Sequence, residues 1–155
     1  MIIQAKESKY ADIFATVYNS ANTLFDDSER YDASGEIFIK QLKDDTNFVY
    51  LDEEQKIRGF MSFHKIDRYY ELTSLYVERK YQKEKIGYQL LTHFEKQAGK
   101  NTILFIKVLK NAYWALNFYQ KNGYEFLNDE IYPIITSLGI IEKSWEKILY
   151  KKIVP

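Results

Sequence analysis

Residues Tyr81–Leu91 read YQKEKIGYQLL and follow the apolar run LTSLYV of Leu72–Val77 almost at once. The run breaks into Gln82, the charged triplet Lys83-Glu84-Lys85 and a lone Gly87. Ile86, Leu90, Leu91, Phe94 and Ala98 then recur on one helical face. This is strand, loop and helix in succession. A loop between the carboxyl end of a strand and a helix start is where open sheets bind ligands. The first N–H groups of such a helix have no partner within it, carry partial positive charge and attract phosphate. Gly87 has no Cβ to keep the backbone from a ligand, and Lys83 and Lys85 add charge. The stretch therefore reads as a pyrophosphate cradle. On spacing alone a solvated charged turn fits it equally well.

Outward from that stretch the chain alternates between strand and helix patterns. Tyr69–Val77 (YYELTSLYV) is a strand rich in β-branched and aromatic residues, and Ile103–Leu109 (ILFIKVL) is nearly continuous apolar, as in a strand covered on both faces. With the helix Ile86–Gln97 between them, they predict a parallel βαβ crossover of right hand. Asn47–Leu51 and Ile57–Ile66 predict a hairpin around DEEQ. Ile2–Ala5 predicts a short first strand, a helix begins near Ser8, and Asn19–Ser34 reads as a loop or broken helix. Ser34-Gly35-Glu36 introduces a second helix through Ile37, Phe38, Gln41 and Leu42. A short helix over Ala112–Lys121 stops at Asn122-Gly123, and two last strands fall near Tyr124–Leu127 and Trp145–Lys151. The order is β, α, α, β-β-β, α, β, α, β, β, a mixed α/β sheet with helices on both faces. No repeat or linker interrupts it, so residues 1–155 predict one domain.

Composition limits the chemistry. Lys plus Arg (22) equals Asp plus Glu (22), which argues against nucleic acid or an anionic membrane as the main partner. The absence of Cys removes disulfides, a thiol nucleophile and thiolate metal sites. His64 and His93, the only histidines, lack metal-ligand spacing, so no metal is expected. His64 at a strand end reads as structural, with lining of the cleft as the alternative, and His93 as a surface or boundary residue of a helix. No signal peptide or membrane span of ~18 apolar residues is expected, and the default location is cytoplasmic. The 17% aromatic content falls mostly at core-facing positions and does not form a stacking surface for single strands.

YVERKYQKEKIGYQLL (Tyr76–Leu91), with ALNFYQKNGYEF (Ala115–Phe126) after it, resembles the GCN5-related N-acetyltransferases (GNAT family). The family's loop pattern is Gln/Arg-x-x-Gly-x-Gly/Ala. Gln82 and Gly87 match its first and last positions, and Lys85 stands where the middle Gly belongs. The second signature appears as Ala115, Phe118, Tyr119, Gly123 and Tyr124. The Asn that belongs seven residues before its Tyr is displaced to Asn111, with Ala112 in its place. The resemblance is specific over Glu71–Phe126. It implies the GNAT fold, a twisted, mostly antiparallel sheet of about six to seven strands around a central βαβ unit.

The resemblance also implies acetyl-CoA as donor and a primary amine of a small molecule or peptide as acceptor, joined by direct attack in a ternary complex. Leu75, Tyr76 and Val77 would offer backbone groups to the pantetheine arm and one amide to the developing oxyanion. Gln82, Lys83, Glu84, Lys85, Ile86, Gly87 and Tyr88 would hold the pyrophosphate, with Asn111 as a further cofactor contact. Tyr119 matches the family tyrosine beside the thioester sulfur and is the expected general acid. Glu71 is the expected base, acting through water and sharing a face with Thr73 and Leu75 by strand alternation. Phe25, Tyr31 and Tyr132 are wall candidates for the acceptor, the last in a terminal hairpin, while Asp26-Asp27 and Glu53-Glu54 read as solvated turns. Dimers are frequent in the family, so a homodimer is compatible. The competing reading is a non-catalytic acyl-CoA-binding or regulatory module on the same fold.

Overall fold

The structure is a computed structural model that describes residues 1–25 and 32–155. Its elements in chain order are β1 (Ile2–Gln4), α1 (Ala11–Ala21), α2 (Glu36–Asp44), β2 (Thr46–Leu51), β3 (Ile57–Ile66) and β4 (Tyr69–Val77). There follow α3 (Ile86–Ala98), β5 (Thr102–Leu109), α4 (Tyr113–Lys121), β6 (Glu125–Phe126), α5 (Tyr132–Ser137) and β7 (Glu146–Ile153). Short 3-10 turns occupy Ser8–Tyr10, Asn22–Leu24 and Arg79–Glu84. The strands form one seven-stranded, mostly antiparallel open sheet in the order β1-β2-β3-β4-β5-β7-β6. β4 and β5 are its parallel pair, in register Tyr70↔Leu104, Glu71↔Phe105 and Leu72↔Ile106. The βαβ crossover expected from the two apolar runs is therefore present.

By contacts the chain divides into two compact units, Met1–His64 with Thr73–Gln97, and Lys65–Leu72 with Ala98–Pro155. In the first, α1 buries Ala11, Phe14, Ala15, Val17 and Ala21 along one stripe, and α2 buries Phe38 and Leu42. Phe14 stacks on Phe60 of β3 at 4.0 Å, and Phe38 meets both rings edge-on. The high aromatic content thus serves a core. α3 buries Ile86, Leu90, Leu91 and Phe94, with Phe94 against Phe63. In the second unit, Phe105, Ile131, Ile135, Ile148 and Tyr150 share a cluster.

α5 is an element the sequence reading missed, and it places Tyr132 at the start of a helix, not in a hairpin. Its signals are local. Asn128 Oδ1 accepts the N–H groups of Glu130 and Ile131, Pro133 lies in the first turn, and Gly139 follows at φ +79°. Six residues are too few to show a helical period.

A polar network locks the end of α2 to three strands. Asn47, 1% exposed, donates Nδ2 to the Asp45 carbonyl at 2.7 Å and lies within 3.3 Å of the Leu42 carbonyl. Ser62 donates to Asn47 Oδ1, Gln41 Nε2 donates to Ser62 Oγ at 2.7 Å, and Ser74 donates to Gln41 Oε1 at 3.1 Å. These bonds satisfy helix-end carbonyls that burial would otherwise leave unpaired.

Candidate active site

The β4–α3 connection is built in the first unit. Glu78 donates its N–H to the Arg58 carbonyl at 2.9 Å, and Gln82 Nε2 reaches back to the Val77 carbonyl at 3.1 Å. Gln82 thus staples the loop to the strand end. Arg58 bonds Asp52 Oδ2 at 2.7 Å and Glu78 Oε2 at 3.2 Å, and its guanidinium lies 4.3 Å from the Tyr81 ring centroid. Backbone N–H bonds from Lys56, with the Arg58 guanidinium, hold the Asp52 carboxyl below its ordinary range.

The chain leaves the Arg79–Glu84 turn through Lys85 at φ +61°, ψ +18°, the left-handed region. This is where the family pattern carries Gly, and only the lack of a Cβ makes that conformation cheap. The first bond of α3 then runs from the Gln89 N–H to the Lys85 carbonyl at 3.0 Å. The N–H groups of Ile86, Gly87 and Tyr88 precede the helix's own ladder. Ile86 is buried and anchors the turn, Gly87 is half-buried, and Lys83, Glu84, Lys85 and Tyr88 are exposed. Gly59 of β3 sets how closely the parts approach: a Cβ there would stand 3.1 Å from the Tyr76 carbonyl oxygen and 3.2 Å from Ile86 and Leu90.

On β4, Leu75 and Tyr76 are half-buried and Val77 is buried. The Tyr76 ring packs 4.8 Å from Tyr18 and 5.6 Å from Phe60, and burial pushes its hydroxyl pKa up. Thr73 donates to Asp45 and its neighbour Ser74 to Gln41, both at the end of α2.

In the second unit, Glu71 is half-buried on β4, opposite Phe105 of β5. Tyr119 of α4 is 4% exposed and packs edge-on against Phe118 and Tyr124. Gly123, at φ +90°, ends the helix, and Lys151 of β7 donates to the Asn122 carbonyl at 2.9 Å. Ala112 stands at the N-cap of α4 with no capping side chain, and half-buried Asn111 precedes it. Of the wall candidates, Phe25 is half-buried and Tyr132 is exposed. Tyr31 and Asp26-Asp27 lie outside the described residues.

The reading from sequence passed over one cluster. Thr73 Oγ1 donates to Asp45 Oδ2 at 2.6 Å, and Asp45 Oδ1 lies 3.2 Å from His64 Nδ1. Its members are far apart in the chain, and no spacing rule joins them. Asp45 also lines a cavity of about 550 Å³ with Gln4, Lys6 and Lys43, a cavity that none of the motif residues line. His93 of α3 packs 4.4 Å from Phe48, and burial holds its imidazole below the usual range. Among the described residues no group of three His, Cys, Asp or Glu could hold a metal ion, and no helix is long and apolar enough to cross a membrane.

Residues 12–124 match the model of the acetyltransferase (GNAT) family. Solved structures similar in fold include the PaiA N-acetyltransferase of Thermoplasma acidophilum in complex with coenzyme A, at 18% identity and TM-score 0.73, covering 98% of this chain and 99% of that one. The ribosomal-protein-S18-alanine N-acetyltransferase of Escherichia coli aligns at 13% identity and TM-score 0.74, over 100% of this chain and 94% of that one. Tetrahymena GCN5 aligns at 17% identity and TM-score 0.71, over 97% and 90%. No curated protein matches the sequence significantly.

Proposed function

The chain belongs to the acetyltransferase (GNAT) family, and from that premise we propose that it moves the acetyl group of acetyl-CoA to a primary amine of a small molecule or peptide. The transfer is by direct attack in a ternary complex, and residues 1–155 act as one acetyltransferase domain. The observation that carries this reading is the left-handed turn at Lys85, which opens α3 with the N–H groups of Ile86, Gly87 and Tyr88 ahead of its first internal bond. A diphosphate is the ligand such an opening suits. Lys83 and Lys85 supply charge beside it, and Gln82 holds the loop's shape through Val77.

In this reading the backbone of Leu75, Tyr76 and Val77 receives the pantetheine arm as a further strand would be received. Asn111 is a further contact to the cofactor. Glu71 takes the proton whose loss lets the amine attack, and Tyr119 protonates the departing sulfur. Lys85 in place of Gly and Ala112 in place of Asn favour a second reading, a module that binds acyl-CoA without turnover. One experiment separates them: thiol release from acetyl-CoA over a panel of primary amines, with CoA affinity by calorimetry. Turnover that Tyr119→Phe abolishes while CoA affinity holds supports the enzyme. CoA binding with no turnover on any amine supports the module, and no heat with CoA removes both.

A further inference from the structure

Arg58 and Gly59 of β3 meet the two ends of the β4–α3 loop, and every residue concerned lies within the first unit. At the loop's start the Arg58 carbonyl accepts the Glu78 N–H at 2.9 Å. The Arg58 guanidinium donates to Glu78 Oε2 at 3.2 Å and lies 4.3 Å from the Tyr81 ring centroid. At the loop's end Gly59 backs onto Ile86, the first residue of α3, where a Cβ would come within 3.2 Å of the Ile86 side chain. Two further ties hold the stretch between. Ser20 Oγ accepts the Arg79 N–H at 2.9 Å, and Gln82 Nε2 donates to the Val77 carbonyl at 3.1 Å.

Arg58 is itself fixed. Its Nε donates to Asp52 Oδ2 at 2.7 Å, and Asp52 Oδ1 accepts the N–H groups of Glu54 and Lys56 at 2.9 and 3.0 Å. The side chains of Arg58, Asp52 and Glu78 are 16%, 22% and 20% exposed, so salt screens these pairs less than surface pairs. A planar guanidinium can meet two carboxylates and a ring face at once, a fork that an ammonium does not present. Resting on the acetyl-CoA reading above, we propose that Arg58 is a positioning residue for the cofactor. Clamped by Asp52, it holds Glu78 and Tyr81 so that the N–H groups opening α3 stand ready for the diphosphate. Donors already in place lose less freedom when the ligand arrives. Without the clamp the same N–H groups are spread over more conformations, and affinity falls.

The test compares wild type, Arg58→Gln and Arg58→Lys by CoA calorimetry at about 0.1 and about 0.5 M salt, and by 15N amide spectra of the free proteins. Arg58→Gln is expected to weaken CoA binding by about tenfold, the size of one charge-assisted hydrogen bond, at both salt concentrations. The amide signals of Tyr81 and Gly87 should move or broaden while those of Phe14 and Phe38 stay. Arg58→Lys keeps the charge but not the fork, so its affinity should lie nearer to that of Arg58→Gln than to wild type. If Arg58→Gln only unfolds more easily, with CoA affinity within about twofold of wild type and the Gly87 signal unmoved, Arg58 is a structural residue and the proposal is overturned. An Arg58→Lys that binds as wild type does, or a loss that vanishes at the higher salt, assigns the effect to charge alone and also overturns it. Should Arg58→Gln fail to fold, Tyr81→Leu makes the comparison with both ion pairs left in place. It is expected to weaken CoA several-fold and to move the Gly87 signal, and unchanged affinity there overturns the proposal. In all these outcomes the wild type binds CoA; a wild type that gives no heat with CoA overturns the acetyl-CoA reading itself, and the proposal with it.

Discussion

Replacing Lys85 with Gly isolates the backbone feature on which the cradle depends. Lys85 sits at φ +61°, ψ +18°, where an L residue with a Cβ is strained by about 1–2 kcal/mol. Glycine relieves that strain but is freer in the unfolded chain, which costs about 0.5–1 kcal/mol. The net expectation is a gain of about 0.5–1 kcal/mol. In a chain of this length that is about 1–4 °C in Tm. Lys85→Ala keeps the strain and removes the same charge, so the Gly-minus-Ala difference cancels the ammonium. Urea unfolding of the three proteins gives the comparison, with an unchanged m-value showing that the unfolded state is comparable. CoA titrations of the Gly and Ala variants then show how much the ammonium contributes to binding. If the Gly variant is no more stable than the Ala variant, the left-handed turn is not a source of strain and its description as a cradle held open at a cost is wrong.

Asn47→Leu removes the amide that bonds the end of α2 and leaves the buried Ser62 hydroxyl without its acceptor; a loss of about 1–3 kcal/mol is expected in the unfolding free energy from urea titration. Gly59→Ala pushes a methyl to 3.1 Å from the Tyr76 carbonyl oxygen, so stability should fall by about 1–3 kcal/mol and CoA affinity should weaken as β4 and α3 separate. The folded pKa of Asp52 is depressed by the Lys56 N–H and by Arg58, so its contribution is present above the unfolded value, about 4, and is lost as pH falls through the folded one. The stability difference between wild type and Asp52→Asn, measured from pH 6 down to pH 2, should therefore shrink below about pH 4; a constant difference would contradict the assigned cause.

Local pattern made much of the fold legible. The periodicity of Ile86, Leu90, Leu91 and Phe94 and the continuous apolar run Ile103–Leu109 identify the crossover, because burial on one helical face or both strand faces leaves a period in the chain. The Lys85 position, where the loop pattern carries Gly, is likewise the one found with positive φ. α5 was not legible, because six residues bury too little to imprint a period.

The sequence alone determined most of the strands and helices, α5 excepted, and the turn that opens α3, since these depend on neighbours within a few residues. Only the tertiary structure decided that Asp45, His64 and Thr73 form one hydrogen-bonded chain and that Asn47 closes the end of α2. Hydrogen bonds act over about 3 Å, and residues 19 and 28 positions apart come that close only through the packing of α2 and three strands.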